Sequence, residues 1–131
     1  MKMLPALLLV LLLLVLATPV LAQTVKVAEA AVTTKVSKGK PVDSVHRISH
    51  RTVKALYFFT RTVLESAGET TIKHRWIHAD RVIKETELPV KGRRWRAYSA
   101  LPVDAASVGQ WRVELLDESG TLIKTLEFKV H

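Results

Sequence analysis

Five glycines, Gly39, Gly68, Gly92, Gly109 and Gly120, are all that the 131 residues contain, and each falls between apolar segments, never inside one. Pro41, Pro89 and Pro102 fall in the same gaps. The segments between them are rich in β-branched and aromatic residues that alternate with a period of two. Such punctuation predicts an all-β fold of short antiparallel strands. The predicted strands are Val25–Val36, Thr52–Arg61, Thr70–Ala79, Arg81–Leu88, Arg93–Ala100, Gln110–Leu116 and Thr121–Val130. Seven is the count that an immunoglobulin-like sandwich needs.

Parity along these strands sorts core from surface. Trp111, Val113 and Leu115 face one way while Arg112 and Glu114 face the other. In the last strand Leu122, Leu126, Phe128 and Val130 share a parity, and Asp117-Glu118-Ser119-Gly120 forms the hairpin before it, with Gly120 free to take a positive φ. Thr52–Arg61 carries bulky residues at both parities, which predicts a central strand buried on both faces. The expected core includes Ile72, Trp76, Trp95, Trp111, Val113, Phe128 and Val130.

The N-terminus is built differently. Met1-Lys2-Met3 is followed by fourteen uncharged, almost wholly aliphatic residues from Leu4 to Ala17, a Thr18-Pro19 break and the small-residue junction Val20-Leu21-Ala22. That is the pattern of a signal peptide, residues 1–22, cleaved between Ala22 and Gln23. It predicts a periplasmic or extracellular protein with no membrane contact unless the segment stays uncleaved as an anchor. Residues 23–34 then form a lead-in with the start of the first strand, and 35–131 the sandwich domain. Removing the leader takes away one charge, Lys2, and lowers the net charge from +8 to +7 over 109 residues. The absence of Cys excludes disulfides, thiolate metal sites and a cysteine nucleophile.

Three blocks read together resemble a bacterial envelope family catalogued as domain of unknown function 2914. They are Thr71-Ile72-Lys73-His74-Arg75-Trp76, Gly92-Arg93-Arg94-Trp95-Arg96-Ala97-Tyr98-Ser99, and Gly109-Gln110-Trp111-Arg112-Val113-Glu114 running on to Gly120 and Phe128. The upstream strand Tyr57-Phe58-Phe59-Thr60 also fits, so the resemblance spans about Lys35 to Val130. Pro102–Val108 departs from it by lacking a Lys after the Ser block. The resemblance implies an exported β-domain and no assigned activity. Its motif residues His74, Trp76, Trp95, Ser99 and Trp111 read as structural.

Catalytic and metal chemistry find little footing. His46…His50 and His74…His78 share a spacing that puts both rings on one face of a helix; the second pair lies on a strand, where four residues span about 13 Å, too far for one ion, and the first lies in a loop with no carboxylate nearer than Asp43. Glu85 and Glu87 stand two apart like a glycosidase pair, yet Arg81 and Lys84 flank them and nothing apolar would raise a carboxyl pKa. No nucleophile elbow or clustered-glycine phosphate loop is present. A hydrolase built on His74 and Ser99 would lack a placed acid. The expectation is a non-catalytic module with no metal and no cofactor. Charge supplies the remaining candidate: Lys73, Arg75, Arg94, Arg96 and Tyr98 would all point outward and, if their strands are neighbours, form one basic, aromatic stripe. Arginine suits phosphate and carboxylate, so the expected partner is an anionic envelope polymer or an acidic envelope protein. Export argues against nucleic acid. The alternative is a structural module that pairs with a protein through exposed strand edges.

Overall fold

The computed structural model describes residues 23–131; the predicted signal peptide lies outside them. Seven long strands form: β1 (Val25–Thr33), β5 (Ala55–Leu64), β6 (Thr70–His78), β7 (Arg81–Val90), β8 (Arg94–Pro102), β9 (Gly109–Leu116) and β10 (Leu122–Val130). Three two-residue strands join them, β2 (Val36–Ser37), β3 (Lys40–Pro41) and β4 (Arg47–Ile48), with one 3-10 turn at Ala105–Ser107.

Two sheets face each other. One has the order β1-β5-β8 and the other β4-β10-β9-β6-β7, while β2 and β3 pair as a separate small hairpin. Period-two alternation lets each sheet turn one apolar face inward. Leu56 and Phe58 of β5 and Leu101 of β8 meet Ile72, Trp76, Val113, Leu115 and Phe128 of the larger sheet in a single core. Six of the seven expected core residues are buried, and Trp95 is half-buried at the margin.

The chain departs from the sequence expectation where a local device intervenes. β1 ends at Thr33, not Val36, because Asp43 captures the turn: its carboxylate accepts from the Thr33 hydroxyl at 2.6 Å and the Thr34 amide at 2.8 Å. Burial alone would raise the Asp43 pKa, but the hydrogen bonds from Thr33 and Thr34 outweigh it and hold the group below its ordinary value. β1 pairs with β5 from Val25 to Thr33, so the first strand lies within the 23–34 lead-in and joins the small sheet. β5 starts after Thr52 because residues 49–53 close a turn on the Ser49 carbonyl, and it runs past Arg61 to Leu64 by pairing with β1. β7 passes through Pro89, which an edge strand tolerates because its missing N–H faces away from the ladder.

Leu122 does not share the inward face of β10. A bulge between Leu122 and Lys124 shifts the register, and Leu122 is exposed while Phe128 and Val130 are buried. Gly120 takes φ +87° in the hairpin, as expected. β5 is central, and both Phe58 and Phe59 are buried. Phe58 packs into the core, whereas Phe59 lies on the outer side of the small sheet. The β2–β3 hairpin lies over that side: a Cβ at Gly39 would stand 3.0 Å from Arg96 Nη1 on β8.

Candidate functional site

Between the sheets sits a sealed polar cluster. His74 on β6 is fully buried, with Nδ1 2.8 Å from Ser99 Oγ on β8 and Nε2 2.9 Å from Thr60 Oγ1 on β5. The Trp76 indole N–H donates to the same Ser99 Oγ at 3.0 Å. Phe58 packs on the imidazole with ring centroids 4.3 Å apart. A neutral imidazole, one nitrogen donating and one accepting, suits two hydroxyl partners in either tautomer. Burial pushes the His74 pKa down to about 3. His74, Trp76 and Ser99 thus tie the two sheets together. Ser99 and His74 are within bonding distance of each other, and both are buried. Thr60 is the member that sequence reasoning passed over; its inward parity among aromatics was the available signal.

A second motif block closes one end of the sandwich. Trp111 stacks on His78 at 4.3 Å with an interplanar angle of 1° and on Phe128 at 5.9 Å. Its indole N–H donates to the Ser107 carbonyl at 2.7 Å. Ser107 ends the 3-10 turn that Asp104 caps, so the divergent Pro102–Val108 loop serves as a seat for Trp111. His78 Nε2 donates to the Val108 carbonyl at 3.0 Å. The next residue, Gly109, has φ +132°, and a Cβ there would stand 2.9 Å from His78 Nε2. Glycine is required twice over, by backbone and by space.

The histidine pairs place no shared ligand set. His74 points into the core and His78 lies at its end. His46 and His50 flank β4, where the His46 carbonyl accepts from Lys129 N and the His50 amide donates to the His131 carbonyl. No group of three or more His, Asp or Glu side chains suited to a metal ion occurs among the described residues.

The predicted basic stripe is not one surface. Lys73 and Arg75 face outward from β6 and Arg94, Arg96 and Tyr98 outward from β8, as parity required, but β6 and β8 belong to different sheets. The two sets therefore lie on opposite outer faces. They also differ in company. Arg75 lies 2.9 Å from Glu85 and 3.7 Å from Glu114, and Lys73 lies 3.7 Å from Glu85. The Glu85–Glu87 rung is thus the partner of this basic pair. Arg94 and Arg96 make no ion pair among the described residues.

The β8 half gains a residue that the sequence reading omitted. Arg61 on β5 stands directly opposite Arg96 in the register, and Val63 opposite Arg94. Its one ion pair among the described residues, with Glu29, is long at 4.0 Å. Arg61, Arg94, Trp95 and Arg96 line an open groove of about 440 Å³. Tyr98 continues the face, 54% exposed and edge-on to Tyr57 at 6.1 Å.

Comparison with known proteins places this architecture. The fold is similar to that of an immunoglobulin-like protein from Pseudomonas aeruginosa, with a TM-score of 0.52 and 14% identity over 82% of this chain and 97% of that one. It is also similar to part of the alkylpurine DNA glycosylase AlkC of Pseudomonas fluorescens, solved bound to DNA containing an abasic site analog. There the TM-score is 0.57 and the identity 12% over 82% of this chain, which spans only 30% of the glycosylase. No curated protein matches. Residues 69–130 match the model of the family described as "Protein of unknown function (DUF2914)". That stretch, β6 to β10, holds all three motif blocks, and the resemblance read from them is met there; the Tyr57–Thr60 strand lies outside it.

Proposed function

We propose that this chain is a non-catalytic, exported binding domain of the bacterial envelope that holds an anionic partner on the outer face of its small sheet. One observation carries this reading. Arg61 and Arg96 stand directly opposite each other, with Arg94 beside them on one groove and, among the described residues, only a long contact to Glu29 in compensation. Like charges opposed across strands are destabilising. A bound phosphate or carboxylate relieves the repulsion, and guanidinium groups hold such anions in bidentate fashion. The leader pattern of residues 1–22 supports export, and an intact mass beginning at Gln23 is the measurement for it.

Binding is tested by titrating the protein with lipopolysaccharide and with polyglutamate across a salt series, with duplex DNA as a generic polyanion. Affinity should fall steeply with salt, since charges screen within about 10 Å at 0.1 M. Arg94→Ala with Arg96→Ala should abolish most of it while the melting temperature stays put. Absence of binding at low salt to all three polymers and to an acidic peptide alike would refute the reading.

A further inference from the structure

We infer that the anionic partner is an acidic segment of another protein, bound in extended form as an added strand along the free edge of β8. This rests on the reading of the arginine face given above and names its occupant.

Among the described residues β8 pairs with β5 alone and ends its sheet. The Leu64 amide donates to the Arg93 carbonyl and the Val103 amide to the Lys54 carbonyl, in an unbroken register between. Odd-numbered residues of β8 therefore turn their backbone groups toward β5. The even-numbered ones, Arg94, Arg96, Tyr98 and Ala100, turn theirs to the open edge. One end of that edge is guarded. Lys84 of β7 donates from Nζ to the Ala100 carbonyl, and Pro102 has no N–H to offer. Lysine and proline are common protections of a strand edge. From Arg94 to Tyr98 there is no such guard, and these amides and carbonyls have no backbone partner among the described residues.

The same three residues present the outward side chains. A strand laid along this edge would set its residues directly opposite Arg94, Arg96 and Tyr98, on the same face and about 5.5 Å away between Cα atoms. Charge complementarity then selects the occupant: acidic residues two apart, opposite Arg94 and Arg96, and an apolar residue opposite exposed Tyr98. Intervening residues would turn to the inner side, toward half-buried Trp95 and the half-buried Leu88 of β7. Extended peptides bind sheet edges in this way, with the main chain supplying affinity and alternate side chains specificity. A charged polysaccharide or lipid has no amide ladder to offer.

The test uses a peptide of sequence TVLVEVEVT, whose leucine and two glutamates fall opposite Tyr98, Arg96 and Arg94 in antiparallel register. Its partner is the same peptide N-methylated at those three residues, equal in charge but unable to donate to the edge. The parent should bind and slow hydrogen exchange at the Arg96 and Tyr98 amides. N-methylation should weaken binding at least about tenfold and remove the protection, and Arg94→Ala with Arg96→Ala should cost about tenfold, the scale of two cross-strand charge pairs. Equal binding of both peptides overturns strand addition and leaves the anion-binding face intact. So does binding of lipopolysaccharide or polyglutamate, both without backbone protection at Arg96 and Tyr98, when the parent peptide fails. Failure of peptide and polymers alike removes the anion-binding reading itself.

Discussion

The two faces of β8 are one strand read at alternate residues, and they serve opposite ends. Trp95, Ala97, Ser99 and Leu101 turn inward, where Ser99 ties His74 and Trp76 of the facing sheet to its own. Arg94, Arg96 and Tyr98 turn outward and find no acid among the described residues. The inner cluster contains a histidine bonded to a serine on one side and a threonine on the other, a set that resembles catalytic machinery. It is sealed, so its polarity acts on the fold. The outer set is chemically plainer, but its charges are unmet by the protein. Availability separates the two sides of the strand, not the reactivity of the residue types.

The largest effect should come from the inner side. Trp111 is buried between His78 and Phe128 and anchors the loop through Ser107. Trp111→Ala should cost about 3–5 kcal/mol in denaturant unfolding, the usual range for a buried aromatic truncated to alanine. Any folded fraction should still bind polyanions, since β8's arginines lie on the other face. A near-neutral change would place Trp111 outside the core and dissolve the distinction between structural and binding sides at this end.

A second effect sharpens the inner side alone, through pH. Folded His74 has its pKa lowered to about 3 by burial, against about 6.5 for an unfolded histidine. Between those values the unfolded chain binds a proton that the folded one refuses. Stability from this group is therefore full above about 6.5 and is lost as pH falls toward 3, by up to about 1.4 kcal/mol per unit. Asp43 and Asp117, both held below the ordinary carboxylate range, add their losses only at the acid end. The slope of unfolding free energy between pH 6.5 and 4.5 should be positive with pH and markedly flatter in His74→Asn. If that variant does not fold, the imidazole resonance of the native protein should stay unmoved over the same interval. A ring that titrates near 6 would mean water reaches the cluster.

Much of this contrast was legible in the sequence. Turn punctuation and β-rich composition gave all seven long strands, and parity placed Ile72, His74 and Trp76 inward and Arg94 and Arg96 outward. Strand order was not legible, because a period of two says which way a side chain points and nothing of which strand lies alongside. The single basic stripe failed for that reason: β6 and β8 carry matching outward patterns in different sheets. The bulge that exposes Leu122 and the Asp43 capture that ends β1 depend on contacts made only once the fold exists. The opposition of Arg61 and Arg96 is likewise a fact of register. Glycine spacing, in contrast, was legible as turn punctuation, and Gly120 takes the positive φ expected of it, but the room that His78 denies a Cβ at Gly109 was not.

The smallest expected effect is the most discriminating. Lys73→Ala with Arg75→Ala removes two positive charges, the same number as Arg94→Ala with Arg96→Ala, so the two variants share one net charge. If binding follows overall charge, both should weaken it equally. If it follows arginines that lack acidic partners, only the β8 pair matters. Lys73 and Arg75 are already engaged by Glu85 and Glu114. Their loss should leave affinity for polyglutamate within about twofold and cost stability on the order of 1 kcal/mol or less, as partly exposed ion pairs do. The β8 variant should show the reverse, unchanged melting and lost binding. Removing an exposed arginine costs little fold energy, and removing a like-charge opposition with Arg61 returns some. Equal loss of binding in the two variants would mean that the small sheet's face has no special standing and that the protein attracts anions only as a basic body.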